Sequence, residues 1–217
     1  MNQRQQRWFL LFSVSGVLLV ADVFVVVSGV MQTADRRLWY WYANALGHQG
    51  FRAVEAISLA GVVRHSARYL IGAAVIGVLL TALILSLRGL PFSAAFLVVT
   101  VTGCGALVQA MKVAVNRNGS SLTPWTPLGH TFPSGTAALA VAIFGFLTYL
   151  TLQRTRAPMR QVLLTLWMAS GIAFVVSAST YHYPTEIVGG ILTGLVWLSL
   201  MHIFFWEPLR HELFVRP

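Results

Sequence analysis

Charged residues are scarce in this sequence. Asp, Glu, Lys and Arg together make up 10% of its 217 residues, and only six of them are acidic. An ordinary soluble domain has about a quarter of its residues charged, so the composition excludes that class. Hydrophobic residues make up 57%, which indicates a chain that lipid surrounds for much of its length.

Cysteine is almost absent as well, since Cys104 is the only one and lies in an apolar run. One cysteine excludes a disulfide framework and a cysteine-based metal site. A secretory signal would have a shorter apolar core and a small-residue cleavage site, and no Ala-x-Ala pattern follows the apolar N-terminal run. We therefore expect this run to be retained as a membrane span.

Long apolar runs are abundant. A stretch of about 20 apolar residues can cross a bilayer as a helix. The sequence predicts six such spans, at residues 8–30, 67–87, 91–111, 134–153, 160–179 and 186–206. The predicted fold is an all-α integral-membrane bundle of six transmembrane helices, which forms a single domain over residues 1–217.

A segment rich in aromatic and charged residues follows the first predicted span. Residues 35–46 interleave two tryptophans and two tyrosines with an aspartate and two arginines. This mixture is typical of an amphipathic helix that lies in the membrane interface with its rings at headgroup level. We expect such a helix between the first and second spans.

The net charge of +9 indicates either an anionic partner or membrane topology. Topology is favoured, because eight basic residues lie in short flanks on one side of the six-span layout, the side that the positive-inside rule makes cytoplasmic. They are Arg4, Arg7, Arg88, Arg154, Arg156, Arg160, Arg210 and Arg216. Both termini are then cytoplasmic, and the loops before the fourth and sixth spans face the outer side. Nucleic-acid binding has no support beyond the net charge.

A Pro-Ser-Gly turn, Pro133 to Gly135, stands at the start of the fourth predicted span. The first backbone N–H groups of a helix have no intrahelical acceptor, so they form a ready anion site. Glycine allows a ligand to approach the backbone closely, and Ser134 is a favoured N-cap residue. The turn therefore either cradles a phosphate or only caps the helix, and both interpretations are open.

A histidine and a carboxylate, His182 and Glu186, stand four residues apart at the mouth of the last predicted span. That spacing brings them to one face of a helical turn. A carboxylate bonded to one imidazole nitrogen fixes the tautomer and raises the basicity of the other nitrogen, which can then attack phosphorus. A lone histidine at a helix end is more often an ordinary interfacial residue, but the pairing favours the catalytic role.

Four further residues are candidates for chemistry. Lys112 and Arg117 follow the third span and could clamp phosphate oxygens by charge-assisted hydrogen bonds, although a lysine there could also only extend to the interface. His130 could donate a proton, although a loop histidine without a surrounding motif is more often incidental. Asp22 is the only carboxylate deep inside a predicted span, so it is functional, lies near the outer interface or is bonded within the bundle.

These motifs together resemble the type 2 phosphatidic acid phosphatase superfamily, which includes bacterial lipid-diphosphate phosphatases. The family pattern runs Lys-x6-Arg-Pro, then Pro-Ser-Gly-His, then Ser-Arg-x5-His-x3-Asp. The resemblance implies that His182 is a nucleophile that becomes phosphorylated and that Glu186 orients it. It also implies a phosphate site formed by Lys112, Arg117, Ser134, Gly135 and Thr136. No metal or other cofactor is expected.

Three positions depart from the family pattern. The arginine expected seven residues after Lys112 is Gly119, with Arg117 as the available substitute. The histidine of Pro-Ser-Gly-His, which is the family's general acid for the leaving group, is Thr136, and the arginine of the third motif is Val176. Loss of a positioned acid typically costs about 10²–10⁴ in rate.

The expected function is therefore a lipid phosphatase of the bilayer, in a bacterial plasma membrane with its site on the outer side. A lipid diphosphate, such as a prenyl diphosphate, is the favoured substrate, because a departing phosphate has a second pKa near ~6 and leaves without much protonation. His130 is a second source of the missing acid. The alternatives are a catalytically impaired relative that binds or moves lipid phosphates, and a lipid phosphotransferase.

Overall fold

The computed structural model describes residues 3–57, 76–117, 131–155, 157–179 and 182–214. These residues form seven helices, and none of them lies in a β-strand. The helices are α1 (Gln3–Ser28), α2 (Gln32–Ile57), α3 (Ile76–Leu87), α4 (Pro91–Val115), α5 (Gly135–Arg154), α6 (Met159–Ala178) and α7 (Pro184–Phe214). The all-helical fold class is confirmed.

Five of the helices are long and apolar enough to cross a membrane. They contain the segments Gln5–Ser28, Pro91–Val115, Gly135–Gln153, Met159–Val176 and Pro184–Phe205. Each coincides with one predicted span, so the chain is an integral-membrane helical bundle. Of the remaining predicted span, at 67–87, only the α3 part is described, and residues 67–75 lie outside the described ranges. The count of six spans therefore stays a prediction.

The helix ends that carry the sequence motifs have clear local causes. Pro91 opens α4 at a position where a missing N–H costs nothing, and α4 ends at Asn116 in the left-handed region, with φ of 49°. Ser134 caps α5, because its side chain accepts a hydrogen bond from the amide of Ala137. Pro184 is the first residue of α7. These residues fix the end of α4 and the starts of α5 and α7, and with them the positions of the residues next to those helix ends.

Helix α7 lies at the centre of the bundle and packs against α1, α4 and α5. Two glycines let α5 approach it closely. A Cβ added at Gly194 would lie 2.6 Å from the carbonyl oxygen of Ala138, and one added at Gly190 would clash with the carbonyl of Ser134. Gly190 and Gly194 therefore serve the packing of these two helices. A cluster of large apolar side chains continues the core, namely Phe96, Leu97, Phe146, Leu150, Leu198 and Met201.

Helix α2 contains the predicted amphipathic segment, within one longer helix. Three of its large apolar side chains are well exposed, at 50% for Leu38, 58% for Tyr40 and 70% for Trp41, whereas Asp35 is 1% exposed. The helix therefore directs one carboxylate inward and its aromatic rings outward. That arrangement suits a helix at a membrane interface, and the interfacial location itself stays a prediction.

Candidate active site

His182 and Glu186 form the hydrogen-bonded pair that their spacing predicts. The distance from His182 Nδ1 to Glu186 Oε2 is 3.0 Å, and the backbone N–H of Tyr183 donates to the same oxygen at 3.1 Å. A carboxylate can only accept, so Nδ1 carries the proton and Nε2 keeps its lone pair. The His182 side chain is 13% exposed and Glu186 is buried at 1%. The buried carboxylate therefore orients an imidazole that a ligand can reach.

The second oxygen of Glu186 is held from two other segments. The hydroxyl of Thr131 donates to Oε1 at 2.6 Å, and Nε of Arg117 lies 3.6 Å from it. A buried carboxylate needs such partners, because an unpaired charge inside a protein is costly. Three hydrogen bonds and the ion pair with Arg117 thus fix the Glu186 carboxylate, and with it the imidazole.

Arg117 lies between Glu186 and a second carboxylate, Asp35 of α2. Its Nη2 donates to Asp35 Oδ2 at 3.0 Å, and its Nη1 donates to the hydroxyl of Thr185 at 2.9 Å. That hydroxyl donates in turn to Asp35 Oδ2 at 2.6 Å, and the Thr185 amide donates to Oδ1 at 3.2 Å. The guanidinium also lies 5.4 Å above the ring centroid of Tyr183. Arg117, Asp35 and Thr185 thus form a closed triangle of hydrogen bonds.

The Pro-Ser-Gly turn is bonded directly to the start of α7. The amide of Ser134 donates to the carbonyl of Glu186 at 2.9 Å, and the Ser134 hydroxyl oxygen accepts from Ala137 at 3.4 Å. Within the described part of the chain, no acceptor takes the amides of Gly135 and Thr136. These two N–H groups, at the start of α5, are the ones the turn can offer to an anion. The Ser134 amide and side chain hold the turn in place.

The remaining candidates are placed as follows. Lys112 is partly buried in the last turn of α4. Asp22 of α1 lies beside Gly189 of α7, about one helical turn after Glu186. A Cβ added at Gly189 would lie 2.8 Å from Asp22 Oδ2. His130 lies outside the described residues.

A cavity of about 260 Å³ lies beside Arg117 and Asp35, between the end of α1 and the start of α2. Its other lining residues are Val25, Val26, Val27, Gly29, Met31 and Gln32, and the surface that lines the cavity is more polar than apolar. No group of three metal-ligating side chains occurs among the described residues.

A family model described as the PAP2 superfamily matches residues 93–210, which is more than half of the chain. The chain belongs to this superfamily. The resemblance to the type 2 phosphatidic acid phosphatases is thereby confirmed, and membership supports a phosphatase-type activity in a membrane protein. No curated protein and no solved structure gives a significant match.

Three members of the hydrogen-bond network were not predicted from the sequence, namely Asp35, Thr131 and Thr185. Asp35 also lies outside the region that the PAP2 model matches. One signal was available for it, because each of only six acidic residues in a membrane protein needs a partner. Thr131 and Thr185 are next to candidate residues, but a threonine in a loop carries no distinguishing pattern.

Proposed function

We propose that this PAP2 superfamily member is a lipid-diphosphate phosphatase that works through a phosphohistidine at His182. The observation that carries the proposal is the hydrogen bond of 3.0 Å between His182 Nδ1 and the buried Glu186 carboxylate. It leaves the Nε2 lone pair available as the nucleophile. The His182–Glu186 pair lies at the start of a helix that is long and apolar enough to cross a membrane, which supports a lipid as the remainder of the substrate.

The reaction has two displacement steps. His182 Nε2 attacks the terminal phosphorus, so that an N–P bond forms while the bond to the bridging oxygen breaks and its electron pair leaves with the lipid monophosphate. Water then attacks the phosphohistidine, the N–P electron pair returns to Nε2, and the water protons leave with inorganic phosphate. In both steps Glu186 stabilises the positive charge that develops on the imidazole.

The negative charge of the transferring phosphoryl group would be stabilised by two kinds of donor. The amides of Gly135 and Thr136 supply fixed dipoles at the start of α5, and Lys112 and Arg117 supply positive charge. Fixed donors of this kind are typically worth about 3–4 kcal/mol each in the transition state. This set is smaller than the family pattern, because Val176 stands where the third motif has an arginine.

The preference for a diphosphate follows from Thr136, which stands at the position of the family's acid histidine. A threonine cannot protonate an alkoxide leaving group near neutral pH. A departing phosphate needs little protonation, since its second pKa is near ~6. We infer from the distribution of arginines that both termini are cytoplasmic and that the site faces the outer side. The resemblance to bacterial lipid-diphosphate phosphatases favours a bacterial plasma membrane.

The test is phosphate release by the purified full-length protein in detergent from matched prenyl monophosphates and diphosphates, and from phosphatidic acid. We expect the diphosphate to be hydrolysed fastest, and His182→Ala to reduce the rate by at least ~10³-fold. Brief reaction with a terminally ³²P-labelled diphosphate should label the wild type and leave His182→Ala unlabelled. A monophosphate preference, or equal labelling of the two proteins, would contradict the proposal.

One observation favours a second candidate, a relative that binds lipid phosphates without turnover. Arg117 is already paired with two carboxylates, which reduces the positive charge available for catalysis. Saturable binding of the lipid diphosphate without release of phosphate and without a labelled histidine would establish this candidate. Turnover that depends on an added lipid or sugar acceptor would instead establish a phosphotransferase.

A further inference from the structure

Asp35 is an exception on its own helix. The neighbouring Arg36 and Arg37 are exposed to the surroundings of the protein, whereas the Asp35 side chain is buried. A carboxylate is rarely buried unless it is paired. Here it accepts three hydrogen bonds, one from Arg117 and two from Thr185. Through this one side chain, α2 reaches both the end of α4 and the start of α7.

Among the described residues, the contacts leave part of the Arg117 guanidinium available. An arginine side chain has five N–H donors in a rigid plane. Three point to protein acceptors, one each toward Asp35, Thr185 and Glu186, at 3.0, 2.9 and 3.6 Å. Two N–H groups are then not committed to these acceptors. Because the plane is rigid, fixing three of the five directions also fixes the other two.

We propose that Asp35 is a positioning residue of the phosphate site, which holds Arg117 so that its uncommitted N–H groups meet the transferring phosphoryl group. This inference rests on the proposed function. Thr185 is the second contact of Asp35 and the second residue of α7, so the same carboxylate also holds the helix start that carries Glu186. Helix α2 is thus part of the active site through a residue that acts on Arg117.

The role makes a specific kinetic prediction. Asp35→Asn removes one negative charge next to an anion site, so ground-state attraction of a phosphate should not weaken. The same change frees Arg117 to rotate, and a catalytic group that is misplaced by about 1 Å can cost up to ~10²-fold in rate. Turnover should therefore fall while phosphate affinity is kept. A residue that only stabilises the fold would lower both together.

The experiment compares Asp35→Asn, Asp35→Glu and the exposed control Arg37→Gln in the full-length protein, with the diphosphate as substrate and inorganic phosphate as inhibitor. For Asp35→Asn we expect kcat to fall by about 10–10²-fold, with KM and the phosphate inhibition constant no higher than in the wild type. Asp35→Glu should recover part of the loss, and Arg37→Gln should match the wild type. An unchanged kcat, or a parallel loss of phosphate affinity, would overturn the role.

Two further measurements keep the inference testable if Asp35→Asn folds poorly or if no lipid is turned over. Thr185→Val keeps the shape of Thr185 and the Asp35–Arg117 pair but removes the bridging hydroxyl, so we expect a smaller fall in kcat with no loss of phosphate affinity. Independently of catalysis, phenylglyoxal should modify Arg117 faster in Thr185→Val and in Asp35→Asn than in the wild type, as measured by mass spectrometry of the peptide. Equal modification rates in all three proteins would show that Arg117 is not held by this triangle.

Discussion

Two histidines near opposite ends of the apolar segment Pro184–Phe205 of α7 show how neighbours decide what a histidine does. His182, just before α7, is partly exposed and bonded to the buried carboxylate of Glu186. His202, inside α7, is fully buried, and its Nδ1 donates to the carbonyl of Leu198 at 2.8 Å. The first has a proton-stabilising partner and access to a ligand, whereas the second has only a neutral carbonyl.

The surroundings of His202 are aromatic. Its ring stacks on Trp8 of α1 at a centroid distance of 4.0 Å, and it meets Tyr149 and Phe96 edge to face at 4.6 and 5.2 Å. These contacts join α1, α4, α5 and α7, so the imidazole acts as a flat apolar surface. The difference teaches that catalytic competence comes from a paired carboxylate and an accessible nitrogen.

Among the variants that test this comparison, the largest effect on kcat is expected for a change at Glu186. Glu186→Gln keeps the shape of the side chain, but an amide no longer stabilises the imidazolium and can present an N–H to Nδ1, which favours the wrong tautomer. The loss of kcat should be about 10³–10⁴-fold, as for the corresponding change in a serine protease triad. The measurement is steady-state phosphate release, with circular dichroism as the control for folding. Turnover within tenfold of the wild type would show that the carboxylate does not orient His182.

Within α7, His202→Ala should lower the stability of the fold and leave the rate of the reaction largely unchanged. Removing a buried ring from between Trp8, Tyr149 and Phe96 leaves a cavity, which typically costs about 2–4 kcal/mol. We expect a lower midpoint of thermal unfolding in detergent, with kcat of the folded fraction within about twofold of the wild type. His202→Phe, which refills the space, should recover part of the stability. A large fall in kcat at unchanged stability would contradict the comparison.

The smallest effect is expected for a variant that tests whether a general acid is missing at position 136. Thr136→His restores the family's Pro-Ser-Gly-His pattern next to the Gly135 amide. If a missing proton donor limits monophosphate hydrolysis, the rate on prenyl monophosphate should rise by about tenfold, which is below the full contribution of a well-positioned acid. The rate on the diphosphate should change less. A matched Thr136→Asn variant should give no such rise, and a similar rise in both variants would count against acid catalysis.

The parts of the fold that were predicted from the sequence depend on local patterns. A helix long enough to cross the bilayer must be apolar along its length, so the five described spans could be recognised from hydropathy. The start of α5 at Gly135 was evident from the Pro-Ser-Gly turn. The length of α2, from Gln32 to Ile57, was underestimated, because only part of it shows the interleaved aromatic pattern.

The sequence by itself determined the His182–Glu186 pair and the Pro-Ser-Gly turn, because each depends on residues that are close together in the chain. Only the tertiary structure decided that Arg117 is shared between two carboxylates and that Asp35 belongs to the site. The residues of the Asp35–Arg117 and Thr131–Glu186 contacts are 82 and 55 positions apart in the chain. The physical reason is that such contacts depend on how α2, α4 and α7 pack, which periodicity and spacing do not specify.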